Sequence, residues 1–255
     1  MQLYYKKFGE GKPLIILHGL FGMSDNWMTI SKRISQRHTV YLLDLRNHGR
    51  SPHADEFNYG VLSDDLEEFM RHQNLDRVRL IGHSMGGKVA MCFSLKYPIR
   101  VEKMVLVDIA PKKYNHPFFR KLLDFMMQYN VNSSVSRAEI DQAFSQVIKE
   151  SAVRQFILKN LSRNQNHMFE WKINVASLSL NLNNIFKEIE SDKVYNGPVL
   201  VVRGATSDYV LDEDMPIIKK LFPAAKLVTI NGAGHWLHVE AENAFCDQLK
   251  LFFHN

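Results

Sequence analysis

A serine hydroxyl attacks carbon only when a base takes its proton, so a candidate nucleophile must be read together with a histidine and an acid. Ser84 stands in Gly82-His83-Ser84-Met85-Gly86, a G-x-S-x-G pattern. An aliphatic run over 78–81 precedes it and a helical pattern over 85–97 follows. Strand, tight turn and helix in that order hold a serine in strained backbone geometry, its hydroxyl clear of the sheet at a helix N-terminus. Small residues at 82 and 86 let strand and helix approach closely. The chemistry predicted is acyl transfer through a covalent serine intermediate. Gly82 to Lys88 also spells G-x-x-x-x-G-K, most of a phosphate-binding loop. That loop needs Ser or Thr next to hold magnesium, and Val89 stands there instead.

The base must come from eleven histidines. His38, His53, His72, His116, His167 and His254 lie in polar stretches and read as solvated. His83, inside the elbow, reads as packing or hydrogen-bonding locally, and His48 as bracing its own loop. His235, in Gly232-Ala233-Gly234-His235-Trp236, directly follows the final aliphatic run. Its flanking glycines allow a sharp turn and close approach to Ser84. His238 falls where the last helix begins, so His235 is the expected base. The developing oxyanion needs donors already aimed at it, best supplied by backbone amides. Met85 offers one; the loop 18–22 offers the other, from Leu20 or alternatively Phe21. Two acids follow strands, Asp108 and Asp208, and spacing leaves both open as partner to His235. Asp44 also ends a strand, but Arg46 beside it suggests a structural ion pair. No metal site is expected, because His235-x-x-His238 lacks an acidic partner at metalloprotease spacing.

These residues need a scaffold that brings strand ends together. Short aliphatic runs at 14–17, 39–43, 78–81, 103–107, 198–202 and 226–230 read as strands buried on both faces, as in a parallel sheet. Helical patterns lie between them, among them 62–72, with Leu62, Leu66 and Phe69 on one face, and 240–253. Strands alternating with helices imply a doubly wound sheet. In such sheets ligands bind outside the carboxyl ends of the strands. Between Asp108 and Pro198 no convincing strand is read. Helical patterns over 118–129, 137–149 and 152–161 carry many Phe and Met residues, as expected of a helical cap with an apolar underside. The expected organisation is a core over 1–111, a cap insertion over 112–195 and the rest of the core over 196–255.

At 255 residues with 45% apolar side chains, the chain can fill a core without disulfides or structural metal. Cys92 and Cys246 read as small buried hydrophobes, and a cytoplasmic location is the simplest expectation. No run approaches the roughly 18 apolar residues that span a membrane, and no signal-peptide pattern opens the chain. The net charge of +5 is spread along the chain, so nucleic acid is not an expected partner. A mild positive field suits anionic substrates such as coenzyme-A thioesters.

Taken in order, His18-Gly19-Leu20-Phe21-Gly22, Asp44 to Ser51, Gly82 to Lys88, Val107 to Pro111 and Gly232 to Trp236 resemble the α/β-hydrolase superfamily, most closely its YbfF-type esterases. The likeness covers nearly the whole chain and is weakest in the helical insertion. It implies an α/β-hydrolase fold, a mostly parallel doubly wound sheet with a helical cap, and hydrolysis of small carboxylic esters or acyl thioesters without a cofactor. Many members place the acid three residues past a glycine after the penultimate strand. Counted from Gly204 that position is Ser207, and Asp208 comes one late. The YbfF-like group similarly lacks the acid there and uses instead the aspartate after the strand that follows the elbow helix, here Asp108. The resemblance therefore favours Asp108 over Asp208. Competing readings keep the triad for perhydrolysis or C–C bond cleavage, or retire it in a ligand-binding protein. A monomer or homodimer is expected.

Overall fold

The structure, a computed structural model, describes residues 1–254. Among the described residues nine strands form: β1 (Tyr5–Phe8), β2 (Lys12–Leu17), β3 (His38–Leu43), β4 (Val78–His83), β5 (Val101–Val107), β6 (Leu161–Arg163), β7 (Phe169–Trp171), β8 (Val199–Gly204) and β9 (Ala225–Ile230). Seven build one sheet in the order β1-β3-β2-β4-β5-β8-β9, in which β1 alone runs antiparallel. The six aliphatic runs are its parallel strands. Edge strand β1, Tyr-Lys-Lys-Phe, carries two lysines and shows no aliphatic run.

Because strand side chains alternate, the sheet feeds two cores. Leu14, Ile16, Val40, Leu42, Val105 and Val107 face α1 (Met28–Ile34) and the C-terminal helix α11 (Glu242–His254). Ile15, Leu17, Leu43, Leu80, Met104 and Leu106 face α2 (Tyr59–His72) and α3 (Met85–Lys96). The α2 stripe of Leu62, Leu66 and Phe69 is buried as its spacing predicts, and the Asn58 side chain caps the helix by accepting from the Val61 amide.

Register brings the chemistry together. Leu17 pairs with Gly82 and His83 with Val107. Val107 pairs with Val202, and Gly204 with Ile230. The residues that follow these strands, His18, Ser84, Asp108, Ala205 and Asn231, therefore emerge along one edge. Stitching bonds hold that edge: the Ser84 amide donates to the Val107 carbonyl at 3.1 Å, and the Asp108 amide to the Val202 carbonyl at 2.8 Å.

Between β5 and β8 run α4 (Pro117–Gln128), α5 (Arg137–Phe144), α6 (Ser151–Leu158), α7 (Val175–Leu180) and α8 (Leu182–Phe186). The expectation of no strand here is corrected: β6 and β7 pair antiparallel, Leu161 opposite Trp171. Each has three residues, too few for an alternation to declare itself. The aromatics of this region divide by role. Phe125, Tyr129, Phe144 and Trp171 pack on one another, with Phe125 and Phe144 rings 4.9 Å apart edge to face. Phe118, Phe119 and Phe156 instead look toward Ser84. Lys88 ties both ends of the region to the elbow helix. Its buried ammonium donates to the Lys112 carbonyl at 3.0 Å and to the Lys187 carbonyl, and burial lowers its pKa to about 8. The lysine of the apparent phosphate loop is thus turned inward onto carbonyls. After β8 come α9 (Met215–Leu221), β9, and the short helix α10 (Leu237–Glu240) ahead of α11.

Candidate active site

Ser84 adopts φ 50° and ψ −119°, outside the comfortable range of a residue with a side chain. The elbow closes only because its flanks are glycine. A Cβ on Gly82 would lie 2.4 Å from the Gly86 carbonyl oxygen, and one on Gly86 would lie 2.3 Å from that of Leu17. Ser84 opens onto a cavity which His235 and Leu20 also line. A smaller one, which Ser84 also lines, is walled by Tyr59, Lys88 and Tyr114.

His235 Nδ1 donates to Asp108 Oδ2 at 2.7 Å. That leaves Nε2 as the nitrogen able to accept a proton. Asp108 is fully buried and held at φ 51°. Its carboxylate also accepts from the Ser207 hydroxyl, on Oδ2, and from the Gly204 amide at 3.4 Å, on Oδ1. Asp208 is exposed and makes no bond to His235. Ser84 and His235 share the cavity wall, and among the described residues no hydrogen bond joins them directly. The His235 turn is clamped from below: the Gly234 amide donates to Glu240 Oε2 at 2.5 Å, and the Thr206 amide donates to the Ala233 carbonyl at 3.0 Å. The Tyr209 ring stacks on the His235 imidazole, centroids 3.8 Å apart.

Of the amides expected to face an oxyanion, Met85 begins α3, where no carbonyl one turn earlier is in the helix to accept. The Leu20 amide has no protein acceptor among the described residues, whereas the Phe21 amide donates to His48 Nε2 at 3.3 Å. The Phe21 amide is thus already engaged, and the Leu20 amide is not. His48 accepts there because its Nδ1 donates to the Arg46 carbonyl at 3.0 Å. His18 acts similarly, donating from Nδ1 to the Gly19 carbonyl and accepting from the Leu45 amide at 3.0 Å. Burial lowers the His18 pKa to about 4 and, with His18 nearby, that of His48 to about 3. Both stay neutral, and both brace the loop that carries Leu20. Asn160 adds a third brace from the helical region, donating to the Phe21 carbonyl at 2.8 Å.

Other expectations are corrected. Arg46 pairs with Asp65, at 2.5 and 2.8 Å, rather than with Asp44, whose oxygens accept from the Ser24 and Arg50 amides. His83 hydrogen-bonds across the fold rather than locally, donating to the His235 carbonyl at 2.9 Å. His38 is buried, bonded to Arg79 and the Ile34 carbonyl, and His116 is half-buried between Tyr114 and Tyr209. Cys92 is only half-buried, while Cys246 is fully so. Among the described residues no group of three or more His, Cys, Asp or Glu side chains is placed to hold a metal ion, and no helix is long and apolar enough to cross a membrane.

The sheet order, the elbow and the strand-end cluster define a class, and comparison with known proteins names it. Residues 12–242 match the model of the alpha/beta hydrolase fold family, and the chain belongs to that family. Within it, the chain is 30% identical to the esterase YbfF of Escherichia coli over 246 residues, 96% of this chain and 94% of that protein. It is 36% identical to the sn-1-specific diacylglycerol lipase ABHD11 of Danio rerio, over 96% of this chain and 79% of that one. A solved marine microorganism esterase superposes with a TM-score of 0.96 at 43% identity, covering 98% of this chain and 99% of that one.

Proposed function

We propose that this α/β hydrolase cleaves carboxylic esters through a Ser84–His235–Asp108 triad and an acyl-enzyme. Ser84 Oγ attacks the acyl carbon as its proton passes to His235 Nε2. Asp108 fixes the imidazole tautomer and stabilises the imidazolium. The Leu20 and Met85 amides take the oxyanion. His235 then gives the proton to the departing alkoxide, and water repeats the sequence to release the acid and restore Ser84. The Ser84–His235 hydrogen bond forms as substrate settles, as catalytic contacts often tighten only in the complex.

One observation carries the reading: the 2.7 Å bond from His235 to a fully buried carboxylate, in the wall of the cavity onto which the strained Ser84 opens. Ser207, bonded to the same carboxylate, is a positioning residue for it. The helical region acts as the lid, presenting Phe118, Phe119 and Phe156 to the acyl group. Thioesters, including acyl-CoA, fit the same attack when the acyl part enters and the charged part stays outside. Unpaired Cys92 and Cys246 suit the reducing cytoplasm. The relatives' names favour ester cleavage over the perhydrolase and C–C hydrolase readings of this triad. Turnover of short-chain chromogenic esters by wild type and Ser84→Ala tests the proposal: hydrolysis should vanish in the variant, and equal turnover would refute it.

A further inference from the structure

His238 stands three residues past His235, in α10, and the reaction just described does not use it. Its ring lies flat against the Trp27 indole, centroids 4.2 Å apart and planes 4° from parallel, and 4.7 Å from the ring of His83. The residue is 4% exposed. Nδ1 is buried without a hydrogen-bond partner, whereas Nε2, which has no protein partner among the described residues, is not sealed off and is the nitrogen an incoming group can reach. A buried polar atom left unpaired costs about 1–3 kcal/mol, so native structures pair almost all of them. Burial lowers the His238 pKa to about 3, so the ring stays neutral, with one N–H and one lone pair to spend.

The setting says what could use them. His238 lines the same cavity as Ser84 and His235, among Trp27, Phe118, Phe156 and Trp236. Among the described residues no Asp, Glu, Lys or Arg lines it. Its other buried histidines, His18 and His83, have pKa values pushed below the usual range by burial and add no cation. An ionised group entering here would lose its water without gaining a counter-charge. A neutral oxygen would gain a hydrogen bond. Stacking on Trp27 fixes the imidazole, so little rotamer freedom is lost on binding.

We infer that His238 is a specificity residue that hydrogen-bonds an uncharged oxygen of the ester substrate, a hydroxyl or carbonyl remote from the scissile bond. This rests on the ester-hydrolase reading. The substrate class it selects is the neutral ester carrying a second, unreactive oxygen function, in preference to the plain alkyl ester of the same shape.

Two matched pairs test it: 2-hydroxyethyl butyrate against propyl butyrate, and p-nitrophenyl 4-oxopentanoate against p-nitrophenyl pentanoate. The readout is the ratio of kcat/KM within each pair, for wild type, His238→Phe and His238→Gln. In at least one pair the ratio should fall about tenfold in His238→Phe, mainly through KM, and recover in large part in His238→Gln, which restores a donor and an acceptor. The pair that responds tells whether the oxygen sits in the alcohol or the acyl half. Labelling of Ser84 by a fluorophosphonate reports that each variant is folded, and His238→Leu replaces the Phe variant if it does not label. Ratios unchanged by His238→Phe in both pairs would overturn the inference and leave His238 as a packing residue. A wild type that neither hydrolyses nor labels would instead overturn the hydrolase reading beneath it.

Discussion

Two turns leave the sheet side by side, one after β5 and one after β8, and each carries an aspartate. Asp108 closes the first and Asp208 the second, both suitably placed by sequence to serve His235. Their surroundings differ completely. Asp108 is fully buried, and its oxygens are met by His235, Ser207 and the Gly204 amide. Asp208 points to solvent, while Ser207 before it turns inward onto Asp108. The later turn contributes a hydroxyl to the carboxylate that Asp108 supplies. A buried carboxylate with three donors costs less than a bare one, and His235 and Ser207 both donate to its Oδ2. Position along the chain selects candidates; burial and donors favour Asp108.

The sharpest way to break this comparison is Asp108→Asn. The amide presents the wrong tautomer partner to His235, and kcat should fall about 10³–10⁴-fold with the fold intact. Acid probes the loops on the other side of Ser84. Burial lowers the pKa values of His18, His48 and His238 to about 4, 3 and 3, below the ordinary 6.5. The unfolded chain binds those protons first. Their contribution to stability is therefore complete above pH 6.5 and lost as pH falls toward 4, at about 1.4 kcal/mol per histidine per pH unit. Melts between pH 7.5 and 5 should show a steep drop in Tm, and a flat profile would mean that these rings are not buried neutral. Ser207→Ala should cost about tenfold in kcat, the loss of one hydrogen bond to a charged partner. Asp208→Asn should stay within about twofold of wild type; a larger loss than in Asp108→Asn would move the acid to the later turn.

The strand ends were legible because each buried strand shows as an aliphatic run that stops at a polar or glycine residue. The elbow was legible because Gly82 and Gly86 are demanded by contact distances of 2.4 and 2.3 Å. What escaped depends on pairing across long separations. Arg46 has Asp44 two residues away, yet pairs with Asp65 on α2. Ser207 sits where the resemblance led one to look for an acid, but its inward hydroxyl needs the β5 turn beside it. Tyr209, stacked on His235, and Asn160, which braces Phe21, carry no local signature. His38 lies in a polar stretch and is buried all the same, because Arg79 reaches it from the next-but-one strand of the sheet. The β6–β7 hairpin was missed for its brevity.

Ser84 as the nucleophile, activated by His235, is the claim on which the rest depends, and covalent trapping reads it directly. Wild type, Ser84→Ala and His235→Ala are treated with a fluorophosphonate, digested, and the adduct is located by mass spectrometry. One adduct is expected, on the peptide bearing Ser84, with none in Ser84→Ala and labelling slowed by at least about a hundredfold in His235→Ala. An adduct on another residue, or undiminished labelling of Ser84→Ala, would contradict it.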